Sequence, residues 1–143
     1  MHILVADIID EAEKQGEIDA VHCLRDPTRG GVATTLNEIA MSSEVSIEIR
    51  EDLIPARENV KGACEILGLD PLYVAKEGKL VAIVSADVAE AVVERMRLNQ
   101  HGTEACIIGG GKAEPQGIVS MTTGFGGTRI VDMLAGEQLP RIC

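Results

Sequence analysis

The sequence predicts an α/β (α+β) domain, a mixed sheet with helices packed on it. Three observations carry this. Helical and strand periodicities alternate along most of the chain, short strands close it, and a 45% hydrophobic composition with only Tyr73 and Phe125 as aromatics demands an aliphatic core. At 143 residues the chain is the size of one domain and can bury such a core.

Taken in order, Ile3, Leu4, Ala6, Ile8, Ile9 and Ala12 form a helical stripe over the first fifteen residues, stopped by Gly16. No capping residue stands before this helix, which suits a piece of a longer chain. Ile18 to Leu24 reads as a short buried strand running into Arg25-Asp26-Pro27-Thr28-Arg29-Gly30-Gly31. Val32, Leu36, Ile39, Ala40 and Met41 then recur at helical spacing, giving a unit of strand, tight polar turn and helix. Val45 to Arg50 alternates apolar with polar, as in a strand with one solvated face.

Pro55 opens a helical segment ending at Gly68, Asp70-Pro71 makes a turn, and Leu72 to Ala75 reads as a short extended piece. Leu80 to Val84 is a continuous apolar run, expected to be a central strand covered on both faces. Ala86 to Leu98 is the next helix and Glu104 to Gly109 the next strand. Gly109-Gly110-Gly111 reads as a flexible loop, followed by strands over Gly117 to Thr123 and Thr128 to Met133 with a tight hairpin at Gly124, Gly126 and Gly127. Residues 1–133 are expected to form the domain and 134–143 a mobile tail ending in Cys143.

Composition excludes several functions. A net charge of -10 repels phosphate backbones and anionic membranes, and stacking aromatics are missing, so nucleic acid is not an expected partner. No apolar run approaches the ~20 residues of a membrane span. Cys23, Cys64, Cys106 and Cys143 form no C-x-x-C pair, so no metal site is signalled. With no basic leader ahead of the first helix, a cytoplasmic protein with reduced thiols is expected.

Asp26 to Gly31 is the densest polar stretch, placed where α/β sheets put ligands: a helix N-terminus offers backbone N–H groups, and Arg29 a planar fork for phosphate or carboxylate. The same residues are also ordinary turn and N-cap chemistry, and residue types alone do not choose between the two. Glu77 lies between Lys76 and Lys79, cations that would hold it ionised; read alone it is a solvated loop carboxylate in a weak surface pair. Gly109-Gly110-Gly111-Lys112 lacks phosphate-loop spacing, and His22 and His101 have no matching ligand partners. Pro140-Arg141-Ile142-Cys143 puts a nucleophilic thiol on the last residue, which read alone is a frayed end.

Together, Arg25 to Gly31, Lys76-Glu77-Gly78-Lys79 and Pro140-Arg141-Ile142-Cys143 resemble, in order and spacing, the C-terminal domain of the HypE family of nickel-iron hydrogenase maturation factors. The resemblance covers essentially the whole chain, and the terminal tetrapeptide is its most specific part. It places the chain in the superfamily of aminoimidazole ribonucleotide synthetase and selenophosphate synthetase, as the second of two domains. It implies an ATP-dependent dehydratase: HypF carbamoylates the thiol of Cys143, ATP phosphorylates the carbamoyl oxygen, loss of phosphate leaves a thiocyanate, and the cyano group passes to iron on the HypC-HypD complex. By the same resemblance Glu77 is the candidate base, and Asp26, Thr28 and Arg29 with the Gly30 and Gly31 backbone line the ATP side of the site. ATP with Mg would be bound mainly by an N-terminal domain that this chain lacks, leaving no cofactor expected on the chain alone, which would then be inactive. A homodimer is implied for the full-length protein. The rival readings are the matching domain of a selenophosphate or purine-type synthetase, and a non-catalytic docking module.

Overall fold

The computed structural model describes residues 2–15, 19–75 and 78–133. Along the chain these form α1 (His2–Lys14), β1 (Val21–Arg25), α2 (Gly31–Ser42), β2 (Ser46–Arg50), a 3-10 turn (Glu51–Leu53), α3 (Glu58–Leu67), β3 (Val81–Val84), α4 (Ala89–Arg97), β4 (Gly109–Lys112), β5 (Val119–Thr122) and β6 (Thr128–Ile130). The chain divides into two compact units, Met1–Arg25 with Leu80–Ile107, and Asp26–Lys79 with Ile108–Cys143.

In the first unit, Leu4, Ile8 and Ala12 recur every fourth residue on α1, and all three are buried. Ile8 and Ala12 join Ala20, Val88 and Val92 in a core that Val21, Leu24, Leu80, Val84 and Met96 surround. Asp7 ties α1 to α4, accepting hydrogen bonds from Arg95 Nη2 at 2.7 Å and Asn99 Nδ2 at 2.9 Å. The Asn99 hydrogen bond, and after it Arg95, hold the Asp7 carboxyl below its ordinary value of 3.8, against the opposing effect of desolvation.

β3 is not the central strand its apolar run suggests. It pairs antiparallel with β1 in a two-stranded ribbon, and each of its four residues is half-buried. An apolar run reports that side chains on both faces avoid water; it does not report how many strands flank the backbone.

The second unit holds a four-stranded sheet in the order β4-β2-β5-β6. β2 and β5 run parallel and the other pairs antiparallel, so the sheet is mixed, as the sequence predicts. α2 packs on β2 and β5. Val32, Leu36 and Ile39 of the helix are buried along with Ile47, Ile49, Val119 and Met121 of the strands, each such side chain stabilising the unit by about 1.5–3 kcal/mol.

Three further expectations are corrected here. Residues 105–108 are irregular where a strand is expected, and the expected glycine loop is β4, paired with β2 from Ile49↔Gly109 to Ser46↔Lys112. Glycine reads as a breaker in sequence, but here it permits close approach: a Cβ on Gly109 would lie 2.0 Å from the Glu48 carbonyl oxygen. Leu72 to Val74 form a turn rather than an extended piece, because Asp70 captures them locally. Its Oδ1 accepts the Leu72 N–H at 2.9 Å and its carbonyl the Tyr73 N–H at 3.0 Å. α3 begins at Glu58, three residues beyond Pro55, and ends as expected at Gly68, whose left-handed φ of 66° caps it.

Gly109→Ala is expected to lower stability by about 1–3 kcal/mol. Gly110→Ala, with open space around its would-be Cβ, should stay within about 0.5 kcal/mol of the parent. Urea denaturation of both variants tests the close approach, and equal midpoints would dismiss it. For Asp7 the folded pKa is depressed, so its stabilisation is present above the unfolded value of 3.8 and is lost as pH falls through the folded one. Thermal melts of the parent and Asp7→Asn should differ near neutral pH and converge in acid; a gap that persists undiminished would show that Asp7 ionisation is not its source.

Candidate functional site

The head of α2 is built from Asp26 to Thr34. Pro27 is fully buried and anchors the segment. Gly30 is the N-cap with φ 62°, Gly31 follows with φ 66°, and no side chain caps the helix. Asp26 and Thr28 therefore do not act as N-caps, which removes the ordinary explanation for their presence. Asp26 and Arg29 are exposed and Thr28 half-exposed. Among the described residues the side chains of all three are without a hydrogen bond or ion pair.

The two glycines have separate steric reasons. A Cβ on Gly31 would lie 2.3 Å from the Leu72 carbonyl oxygen and 2.8 Å from that of Val74, so Gly31 lets the 72–74 turn close onto the helix. That contact is sealed by the Ala33 N–H, which donates to the Leu72 carbonyl at 3.0 Å. One of the amides expected to face a ligand is thus spent within the fold, and the site rests more on side chains than on a bare helix end. A Cβ on Gly30 would fall 2.1 Å from Thr34 Oγ1. That hydroxyl is buried and has no hydrogen-bond partner. Gly30 thus spares the space beside an orphaned polar atom, which any side chain there would invade.

Sequence reasoning missed Thr34, and also the groups that brace the site. The Asn37 amide, buried on α2, donates to the Ala33 carbonyl at 2.9 Å and to the Val131 carbonyl at 2.7 Å. Asp70 Oδ2 accepts a hydrogen bond from Arg129 Nη2 on β6. Burial pushes the Tyr73 phenol up, against the lowering influence of Arg129, so Tyr73 stays a protonated donor at neutral pH. The only available hint was an asparagine inside an apolar helical stripe, where a buried amide needs partners.

Glu77 and Cys143, the expected base and carrier, lie outside the described residues. A shallow groove on the sheet, lined by Glu48, Arg50, Gly109 to Lys112 and Thr122, includes no motif residue. Its charges are matched within the fold, Glu48 with Lys112 at 2.7 Å and Arg50 with Asp52 at 2.6 Å. No helix among the described residues is long and apolar enough to cross a membrane.

Carbamoyl dehydratase HypE of Azotobacter vinelandii is 52% identical over all 143 residues, which make up 40% of that relative. A crystal structure of hydrogenase maturation protein HypE in complex with ATP is similar at 45% identity and TM-score 0.83, over 95% of this chain and 41% of that one. A crystal structure of a HypE-HypF complex is similar at 41% identity and TM-score 0.82, over 92% of this chain and 40% of that one. The chain thus spans about 40% of the length of the curated relatives it matches. The family model described as AIR synthase related protein, C-terminal domain, matches residues 2–121, and the chain belongs to that family.

Proposed function

We propose that this chain is the C-terminal domain of a carbamoyl dehydratase that makes the cyanide ligand of nickel-iron hydrogenase, with Cys143 carrying the substrate. The observation that carries the reading is the head of α2: among the described residues the side chains of Asp26, Thr28 and Arg29 have no partner, and beside them the buried Thr34 hydroxyl has no hydrogen bond. A turn needs none of these polar groups. A site that holds a polyphosphate and a small polar substrate needs all of them.

The chemistry removes an oxygen and both nitrogen protons from a carbamoyl group on sulfur. HypF delivers that group to Cys143, as the HypE-HypF pairing of a relative supports. ATP, held with Mg mainly by an N-terminal domain outside this chain, supplies the phosphoryl that turns the oxygen into a leaving group. Arg29 offers its fork to the phosphate charge and Thr34 its hydroxyl, while Asp26 and Thr28 orient the reacting end. Glu77 accepts a nitrogen proton as the thiocyanate forms. The described chain just before it supports this part, since the Val74 carbonyl borders Gly31. Cys143 lies ten positions after Met133, a reach of at most about 36 Å. The cyano group then passes as cyanide to iron on a HypC-HypD complex: the C–S bond breaks, Cys143 returns as a thiolate, and the two electrons this requires come from the acceptor complex. A thiol carrier must stay reduced, which suits the cytoplasm, and the full-length protein is taken as a homodimer built on its N-terminal domains.

The full-length protein given HypF, carbamoyl phosphate and ATP should gain a carbamoyl and then a cyano adduct on its C-terminal peptide by mass spectrometry. Cys143→Ala should take up neither, and an adduct that survives this change ends the carrier reading. Glu77→Gln should stall at the carbamoyl stage, with conversion slowed about 100-fold or more; normal conversion removes Glu77 from the mechanism. Thr34→Val deletes a hydroxyl that satisfies nothing in the fold, so stability should hold or rise, while the KM for ATP should increase about 5- to 10-fold. An unchanged KM would exclude Thr34 from the nucleotide site.

A further inference from the structure

We propose that α3 is a docking seat for the rest of the full-length protein, its uncovered apolar face taking an apolar surface of the domain that lies outside this chain. This rests only on the part of the reading above that gives the full-length protein a second domain. Val60, Ala63, Cys64 and Leu67 recur at i, i+3, i+4 and i+7 on α3, the spacing of a helix face made to be buried. Of these only Cys64 is buried. Val60 is 41% exposed, Leu67 69% and the neighbouring Ile66 87%. Glu58, Lys61 and Glu65 occupy the opposite side, where Lys61 pairs with Glu58 at 3.3 Å. Both sides of the helix thus meet water, although one is apolar. Among the described residues α3 packs closely on no other helix or strand, and a helix this short gains little stability in water without such packing.

Size and charge choose the occupant. A helix of this length is about 15 Å long and 10 Å wide, a footprint on the order of 150 Å², far below the ~800 Å² a side of a stable complex between separate molecules. A second copy meets a further obstacle: each chain carries a net charge of -10, and like charges repel. A partner protein that comes and goes would return the face to water at each departure. A tethered domain has none of these difficulties, because its link supplies an effective concentration in the millimolar range and a small apolar contact then suffices. Length for such a domain exists among the relatives: these residues make up 40% of the Azotobacter vinelandii protein, so more than half of it lies outside the match. The place of α3 in the fold suits this occupant. Through its Gly68 cap it runs into the turn whose Leu72 and Val74 carbonyls border Gly31, and the five steps from Leu67 to Leu72 span at most about 18 Å. A domain seated on α3 is therefore held close to the head of α2.

The photoreactive residue benzoylphenylalanine, put in place of Leu67 in the full-length protein, tests the docking with no partner protein present. Irradiation should join position 67 to a peptide of the same polypeptide from outside these 143 residues. The same probe in place of Glu65, on the polar side, should give about 10-fold less of that product. A link between two copies, a link to residues 134–143 or no link from position 67 overturns the inference, as does an equal yield from position 65. Ile66→Ser combined with Leu67→Ser gives a second measurement. On a face left in water these changes would hold the melting temperature of the full-length protein within about 2 °C; with the face covered it should fall by about 5–10 °C. An unchanged melt overturns the inference. A full-length protein that forms the cross-link but acquires no adduct on Cys143 overturns the dehydratase reading alone, and one that converts the adduct normally without a link from position 67 overturns the inference alone.

Discussion

A buried side-chain amide holds the second unit together at the point that matters for chemistry. Asn37 is 6% exposed, and an amide taken from water without partners costs on the order of 1–3 kcal/mol. Both of its N–H groups are used, one on the Ala33 carbonyl of its own helix and one on the Val131 carbonyl at the end of β6. Either bond alone would leave a donor buried and unpaired, so helix and strand end are held in one relative position. Leu36 and Ile39 then pack on the sheet from a helix whose rotation is already set.

The head of the same helix shows how glycine and polar residues divide the labour of a site. Gly31 permits the 72–74 turn to close to backbone contact, and Gly30 spares the buried Thr34 hydroxyl a clash that any Cβ would bring. The polar residues around them are left over after the fold has satisfied itself. In a unit where Glu48, Asp52 and Asp70 all meet a cation, Asp26, Thr28 and Arg29 stand out as unpaired among the described residues.

The first unit uses electrostatics differently. Asp7 binds α1 to α4 through two donors on neighbouring turns, and its depressed pKa reflects a carboxylate supplied with hydrogen bonds rather than one placed for proton transfer. The second unit is built instead on a mixed sheet and one buried helix.

How much of this was legible in the sequence depends on the distance over which each interaction acts. α1, α2, β2 and β5 were readable because burial imposes a period on consecutive residues, and the Asp26 to Gly31 motif was readable because it holds more polar residues than a turn requires. β3 and β4 were misjudged because strand pairing and close backbone approach depend on segments elsewhere in the chain: β4 is a strand only because the Glu48 backbone lies against Gly109. Asn37 and Val131 are 94 positions apart, and Arg129 and Asp70 are 59 apart. No local pattern encodes such pairs. The sequence by itself determined the fold class, the polar motif and the terminal thiol, since these follow from composition and short-range spacing. Only the tertiary structure decided that, among the described residues, Asp26, Thr28 and Arg29 are unspent and the Thr34 hydroxyl is orphaned, and that Val131 is fastened to α2 through Asn37, because hydrogen-bond satisfaction is a property of the whole packed unit.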